Sequence, residues 1–87
     1  MSTVILDVRE PDEYVTGYYP GAINIPPALL MQGLPQELTT VPLDTDIVVY
    51  CRSGSRSAVA IQMLRSFGFT NLTNGINKDH VSRLVEA

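Results

Sequence analysis

Ile47-Val48-Val49-Tyr50 runs without a break into Cys51-Arg52-Ser53-Gly54-Ser55-Arg56-Ser57, and these eleven residues decide the fold. Three β-branched residues and a tyrosine in a continuous apolar run suit a strand buried on both faces, as in a parallel sheet. The loop that follows is built from small and cationic residues. Beyond it, Ala58, Ile61, Met63, Leu64 and Phe67 mark a helix of about three turns, with Gly68 as its C-terminal cap. The central unit is therefore strand, loop, helix.

The flanking sequence repeats that alternation. Val4-Ile5-Leu6-Asp7-Val8 is a second buried strand, and Glu10-Pro11-Asp12-Glu13-Tyr14 reads as a helix start, with Pro11 at the first helical position and acids in the first turn. Gly17 ends that helix, Tyr19-Pro20-Gly21 turns the chain, and Ala22-Ile23-Asn24-Ile25 is a short strand closed by Pro26-Pro27. Between Ala28 and Leu38, Leu29, Leu30, Leu34 and Leu38 have rough helical spacing, broken into two pieces by Gly33 and Pro35. Phe69 to Thr73 is expected as a last strand, and Val81, Leu84 and Val85 as a last amphipathic helix. Met31 and Met63 are expected to fill core gaps. The class is α/β, with a small, mainly parallel central sheet and helices on both faces, in a single domain over 1–87.

Composition narrows the function. Nine acidic against six basic residues give a net charge of −3, which excludes a global basic field for nucleic acid or anionic lipid. At 45% hydrophobic and 17% charged the chain is globular, with a thin core for its 87 residues. The single cysteine makes no internal disulfide, and with one histidine, His80, no metal site is expected. No stretch approaches the ~20 apolar residues of a membrane span. The first residues lack a basic segment ahead of Asp7, so the expected compartment is the cytoplasm, with a removed periplasmic leader as the alternative.

The chemistry concentrates at Cys51. Ligands of parallel sheets bind beyond the carboxyl ends of strands, beside helix N-termini. Ser53, Gly54, Ser55 and Ser57 let the loop curl with its N–H groups inward, an anion cradle, and Arg52 and Arg56 add positive charge at its rim. Free cysteines are ordinarily buried and inert. Here strand end, small-residue loop, two arginines and immediate helix all favour the thiolate, a nucleophilic sulfur in an anion-binding pocket.

Three segments together closely resemble the rhodanese (thiosulfate sulfurtransferase) family: Leu6-Asp7-Val8-Arg9-Glu10-Pro11-Asp12-Glu13-Tyr14, Gly17-Tyr18-Tyr19-Pro20-Gly21-Ala22-Ile23-Asn24-Ile25-Pro26, and Val48-Val49-Tyr50-Cys51-Arg52-Ser53-Gly54-Ser55-Arg56-Ser57. The size and C-terminal segment look most like the minimal phage-shock-type rhodaneses. The resemblance implies that Cys51 takes a sulfane sulfur from thiosulfate or a persulfide, becomes a persulfide, and passes the sulfur to cyanide or a thiol. It implies that Arg52, Ser53, Gly54, Ser55, Arg56 and Ser57 hold the donor. Asp7, Arg9 and Glu10 would brace the strand and loops. No cofactor or metal is implied. The expected partners are a small anionic sulfur donor and a thiol acceptor such as a thioredoxin-like protein, and the chain is expected to be a monomer.

The alternatives are a persulfide carrier with little thiosulfate turnover, and a small cysteine-dependent phosphatase or arsenate reductase. Cysteine phosphatases place an arginine after five intervening residues. Here four separate Cys51 from Arg56, a shorter ring suited to one sulfur atom. A redox-sensing or inert domain is the bland reading. Tyr18 stands where the family often has His, and Asn74-Gly75-Ile76 replaces the usual Gly-Gly-Ile, a departure expected to bear on docking of the last helix.

Overall fold

The computed structural model describes residues 3–86. Strands β1 (Val4–Asp7), β2 (Ile23–Asn24), β3 (Ile47–Tyr50) and β4 (Leu72–Ile76) form one sheet in the order β2-β1-β3-β4, with every pairing parallel. Helix α1 (Pro11–Tyr14) follows β1, and α2 (Pro27–Met31) with a 3₁₀ turn (Gln36–Leu38) follows β2. Helix α3 (Ser55–Ser66) follows β3, and α4 (Lys78–Glu86) follows β4. From β1 the chain crosses to one side of the sheet, then returns past β1 to lay β3 and β4 on the other. The C-terminal ends of β1 and β3 therefore border a topological switch point, where such sheets form a crevice.

Side chains alternate across the pleat and build two cores. Ile47, Val49 and Cys51 face Leu30 of α2 and Ala60, Ile61 and Leu64 of α3. Val48 and Tyr50 face the other way, toward Ile5 and Val81 of α4. The period-two pattern thus settles where the thiol goes: under α3, with Tyr50 on the opposite face.

Helix α3 ends in a Schellman motif. The Phe69 N–H reaches the Leu64 carbonyl at 3.3 Å and the Gly68 N–H the Arg65 carbonyl at 2.9 Å, with Gly68 at φ 106°. Phe69, 2% exposed, joins Leu64 in the core.

Several expectations shift. The last strand begins three residues later than Phe69, at Leu72, because Phe69 is spent closing α3. It extends through Asn74 and Gly75, residues that propensity places outside strands. Gly75 sits at a bulge opposite the Val49–Tyr50 step. The second strand keeps only Ile23 and Asn24 of the four expected residues. Met31 is 77% exposed and fills no core gap, since the break at Gly33 leaves it on the outer face of a five-residue helix. Leu84 and Val85 are also exposed, and Val81 alone anchors α4 in the core. Among the described residues no helix is long and apolar enough to cross a membrane.

Candidate active site

Cys51 follows directly on β3, its N–H donating to the Ile76 carbonyl at 3.1 Å across to β4. The side chain is 2% exposed. The loop then turns so tightly that Gly54 adopts φ 95°, a left-handed conformation favouring glycine, and its N–H points back at Cys51 Sγ at 3.1 Å. The Ser57 Oγ, in the first turn of α3, lies 3.6 Å from the same sulfur.

These contacts make the thiol acidic. Burial pushes it up, but the Ser57 hydroxyl and the N–H groups of Ser57, Ser53 and Gly54 outweigh burial and bring it down to about 7. The sulfur therefore sits among inward-facing amides at the N-terminus of a twelve-residue helix.

The two arginines differ. Arg56 is bound bidentately to Glu13 of α1, Nη1 to Oε1 at 2.6 Å and Nη2 to Oε2 at 3.0 Å. Glu13 also accepts the Glu10 N–H at 3.1 Å. Arg56 and, next, that N–H hold the Glu13 carboxyl well below its ordinary range, at about 2. Arg52 is exposed, and among the described residues it forms no ion pair. It lines an open groove of about 460 Å³ with Arg9, Asp12, Glu13 and Thr16. A second depression, about 280 Å³, is formed by Pro27, Ser55, Arg56 and Val59. Leu29, Met31 and Val59 are all exposed.

Beneath the crevice Asp7 and Arg9 form a buried pair. Arg9 Nη2 reaches Asp7 Oδ2 at 2.7 Å and the Gly17 carbonyl at 2.6 Å. Tyr50 donates its hydroxyl to Asp7 Oδ2 at 2.7 Å and accepts the Tyr19 N–H at 3.0 Å. Burial pushes that phenol up to about 12. Asp7 and Arg9 thus tie the end of β1 to Tyr50 of β3 and to the Gly17 turn. Glu10 joins no ion pair among the described residues and serves as the N-cap of α1. Tyr18, 48% exposed, stacks on Tyr14 with ring centroids 4.3 Å apart.

Asn74 is the residue the sequence reading missed. Its Oδ1 lies 2.6 Å from Ser57 Oγ and 2.9 Å from the Ile76 N–H, while its Nδ2 donates to the Gly54 carbonyl at 3.0 Å. The departure from Gly-Gly-Ile, expected to bear on docking of the last helix, therefore bears on the cysteine loop. Its only signals were that departure and a polar amide two positions from both Leu72 and Ile76.

The fold and site define an α/β domain with a buried thiol at the carboxyl end of a parallel strand, beside the N-terminus of a helix. Comparison with known proteins narrows the class. Residues 1–79 match the rhodanese-like domain, and the chain belongs to that family of sulfurtransferases. It is 35% identical over 71 residues to a sulfurtransferase of Allochromatium vinosum, covering 82% of this chain and 63% of the relative. A putative mitochondrial thiosulfate sulfurtransferase of Schizosaccharomyces pombe is 34% identical over 82 residues, covering 84% of this chain and 58% of its own. The chain thus spans about six-tenths of the length of these relatives. Among solved structures, an E. coli rhodanese with anions superposes with a TM-score of 0.77 at 29% identity, covering 91% of each chain.

Proposed function

We propose that this chain moves a sulfane sulfur from thiosulfate or a persulfide donor, through a persulfide on Cys51, to cyanide or a thiol. The observation that carries this reading is the approach of the Gly54 N–H to Cys51 Sγ at 3.1 Å, with the thiol brought down to about 7. About half of the protein then holds the thiolate at neutral pH. The thiolate attacks the outer sulfur of thiosulfate, the S–S bond breaks, and sulfite leaves with the electron pair. The new outer sulfur carries negative charge into the ring of N–H groups, which are already oriented. An acceptor thiolate or cyanide then attacks that sulfur and returns Cys51 as thiolate. Arg52 offers a guanidinium to the sulfonate end. No step calls on a cofactor or metal.

Intact-mass analysis after incubation with thiosulfate tests this. The wild type is expected to gain one sulfur atom on Cys51, and Cys51→Ser none. A wild-type chain that takes up no sulfur from thiosulfate or a polysulfide overturns the reading.

A second reading, a carrier charged by a protein or low-molecular-weight persulfide, is favoured by the commitment of Arg56 to Glu13, which leaves less free positive charge for a dianion. Faster loading from a persulfide than from thiosulfate would identify it. A thioredoxin-like protein is a chemically suitable acceptor for either.

A further inference from the structure

The Ser57 hydroxyl has one proton and three neighbours that can take it. Asn74 Oδ1 is at 2.6 Å, the Gly54 carbonyl at 3.1 Å and Cys51 Sγ at 3.6 Å. The orientation of the Asn74 amide is fixed from two sides. An N–H donor, that of Ile76, faces Oδ1 at 2.9 Å, and a carbonyl acceptor, that of Gly54, faces Nδ2 at 3.0 Å. Reversing the amide would set donor against donor and acceptor against acceptor. The group facing Ser57 is therefore an oxygen that can only accept.

While Cys51 is a thiol, the Ser57 proton belongs to Asn74, and a lone pair of Oγ is left toward the sulfur. A thiol can donate to that lone pair, whereas a thiolate cannot use it. Ionisation, or arrival of an anionic persulfide, requires the hydroxyl to turn away from Asn74 and toward sulfur.

We infer that Asn74 is a positioning residue that competes with the Cys51 sulfur for the Ser57 proton, and so sets how readily this nucleophile ionises. The inference rests on Cys51 being the sulfur-accepting nucleophile. Of the charged groups nearby, Arg56 of α3 faces the sulfur, Glu13 and Glu10 at α1 face Arg56, and Arg52 shares the loop with Cys51. Helix α2 and strand β4 contribute none. Asn74 is uncharged, so its truncation leaves all of these in place.

The test is the pH profile of Cys51 alkylation by iodoacetamide in the full chain, which needs no sulfur donor and so stands or falls apart from the sulfur-transfer reading. Asn74→Ala removes the nearer of the two acceptors that compete with sulfur, leaving the Gly54 carbonyl at 3.1 Å, and is expected to lower the midpoint by about half a pH unit. In a Ser57→Ala background the same substitution should leave the midpoint where it is. Asn74→Asp strengthens the acceptor but also adds a negative charge that raises the midpoint by itself, so it is compared with the same substitution in the Ser57→Ala background, where the rise should be smaller. A dependence of both shifts on Ser57 is not produced by a merely structural role.

A midpoint that stays or rises in Asn74→Ala overturns the inference, as does a shift that persists without Ser57. If Asn74→Ala does not fold, an Asn74→Asp rise that is equal with and without Ser57 overturns it as well.

Discussion

Arg56 gives both of its terminal nitrogens to Glu13, so the helix that carries the cysteine loop is tied across the crevice to the helix that follows β1. The pair joins the two sides of the switch point. It also neutralises one of the two guanidinium groups that the loop motif supplies. Glu13→Gln should release Arg56 and lower KM for thiosulfate roughly 3- to 10-fold with kcat little changed, a gain of about 0.7–1.4 kcal/mol in binding. The difference should shrink with added salt. Steady-state kinetics at two ionic strengths check this, and an unchanged or higher KM counts against it.

The same pair has a pH signature. The Glu13 carboxyl titrates lower in the folded chain than in the unfolded one, so its stabilising contribution is complete above the ordinary glutamate range. It is lost as pH falls through that range toward about 2. Urea unfolding of wild type and Glu13→Gln should differ at pH 7 and draw together as pH falls through ~4 toward ~2.

Cys51 reactivity should rise with pH through about 7 and level off above it. Ser57→Ala removes the hydroxyl that offsets burial and should move the midpoint upward. Alkylation rates across pH 5–9 read both midpoints directly, and a wild-type midpoint at the ordinary thiol value of about 8.5 would show that the loop does not acidify this sulfur.

Asp7 is fully buried and holds Arg9, which is 8% exposed, together with the Tyr50 hydroxyl. Asp7→Ala strands a buried guanidinium and should cost about 3–5 kcal/mol. Tyr50→Phe removes a hydroxyl but no charge and should cost about 1 kcal/mol. Chemical denaturation of the two variants ranks them.

Gly75 faces Val81 and Val48. An added Cβ would lie 2.6 Å from Val81 Cγ2 and 2.8 Å from Val48 Cγ1, so a methyl group there must push apart α4 and β3. Gly75→Ala is expected to destabilise by about 1–3 kcal/mol. Thermal melts measure the loss.

What the sequence revealed follows from which forces are local. The runs Val4-Ile5-Leu6 and Ile47-Val48-Val49-Tyr50 declare buried strands through composition alone, and the small-residue loop after Cys51 declares its own curvature. Pro11 and Gly68 punctuate helices by their backbone chemistry. Phe69 misled because an apolar aromatic after a glycine looks the same at a strand start and at the end of a Schellman motif. Only the hydrogen bonds to Leu64 and Arg65 distinguish them. Glu13 was read as a first-turn acid, which it is, but its pairing with Arg56 spans 43 positions and has no local signature. Asn74 was hidden for the same reason, 17 positions from Ser57. The place of Cys51, at the end of a buried strand and the start of a tight loop, was legible. The residues that tune its thiol were not, because they reach it through space.

One consequence concerns the order in which the molecule is made. Cys51 donates its N–H to Ile76, and Asn74 holds both Gly54 and Ser57. A chain growing from its N-terminus thus carries the cysteine well before it carries the strand that completes the cradle. Until β4 zips onto β3 the Cys51 N–H lacks its acceptor, and Gly54 and Ser57 lack the Asn74 amide that holds them. Completion of the cysteine's surroundings is thereby coupled to a late event of folding, and a chain stalled before residue 74 carries the cysteine without them.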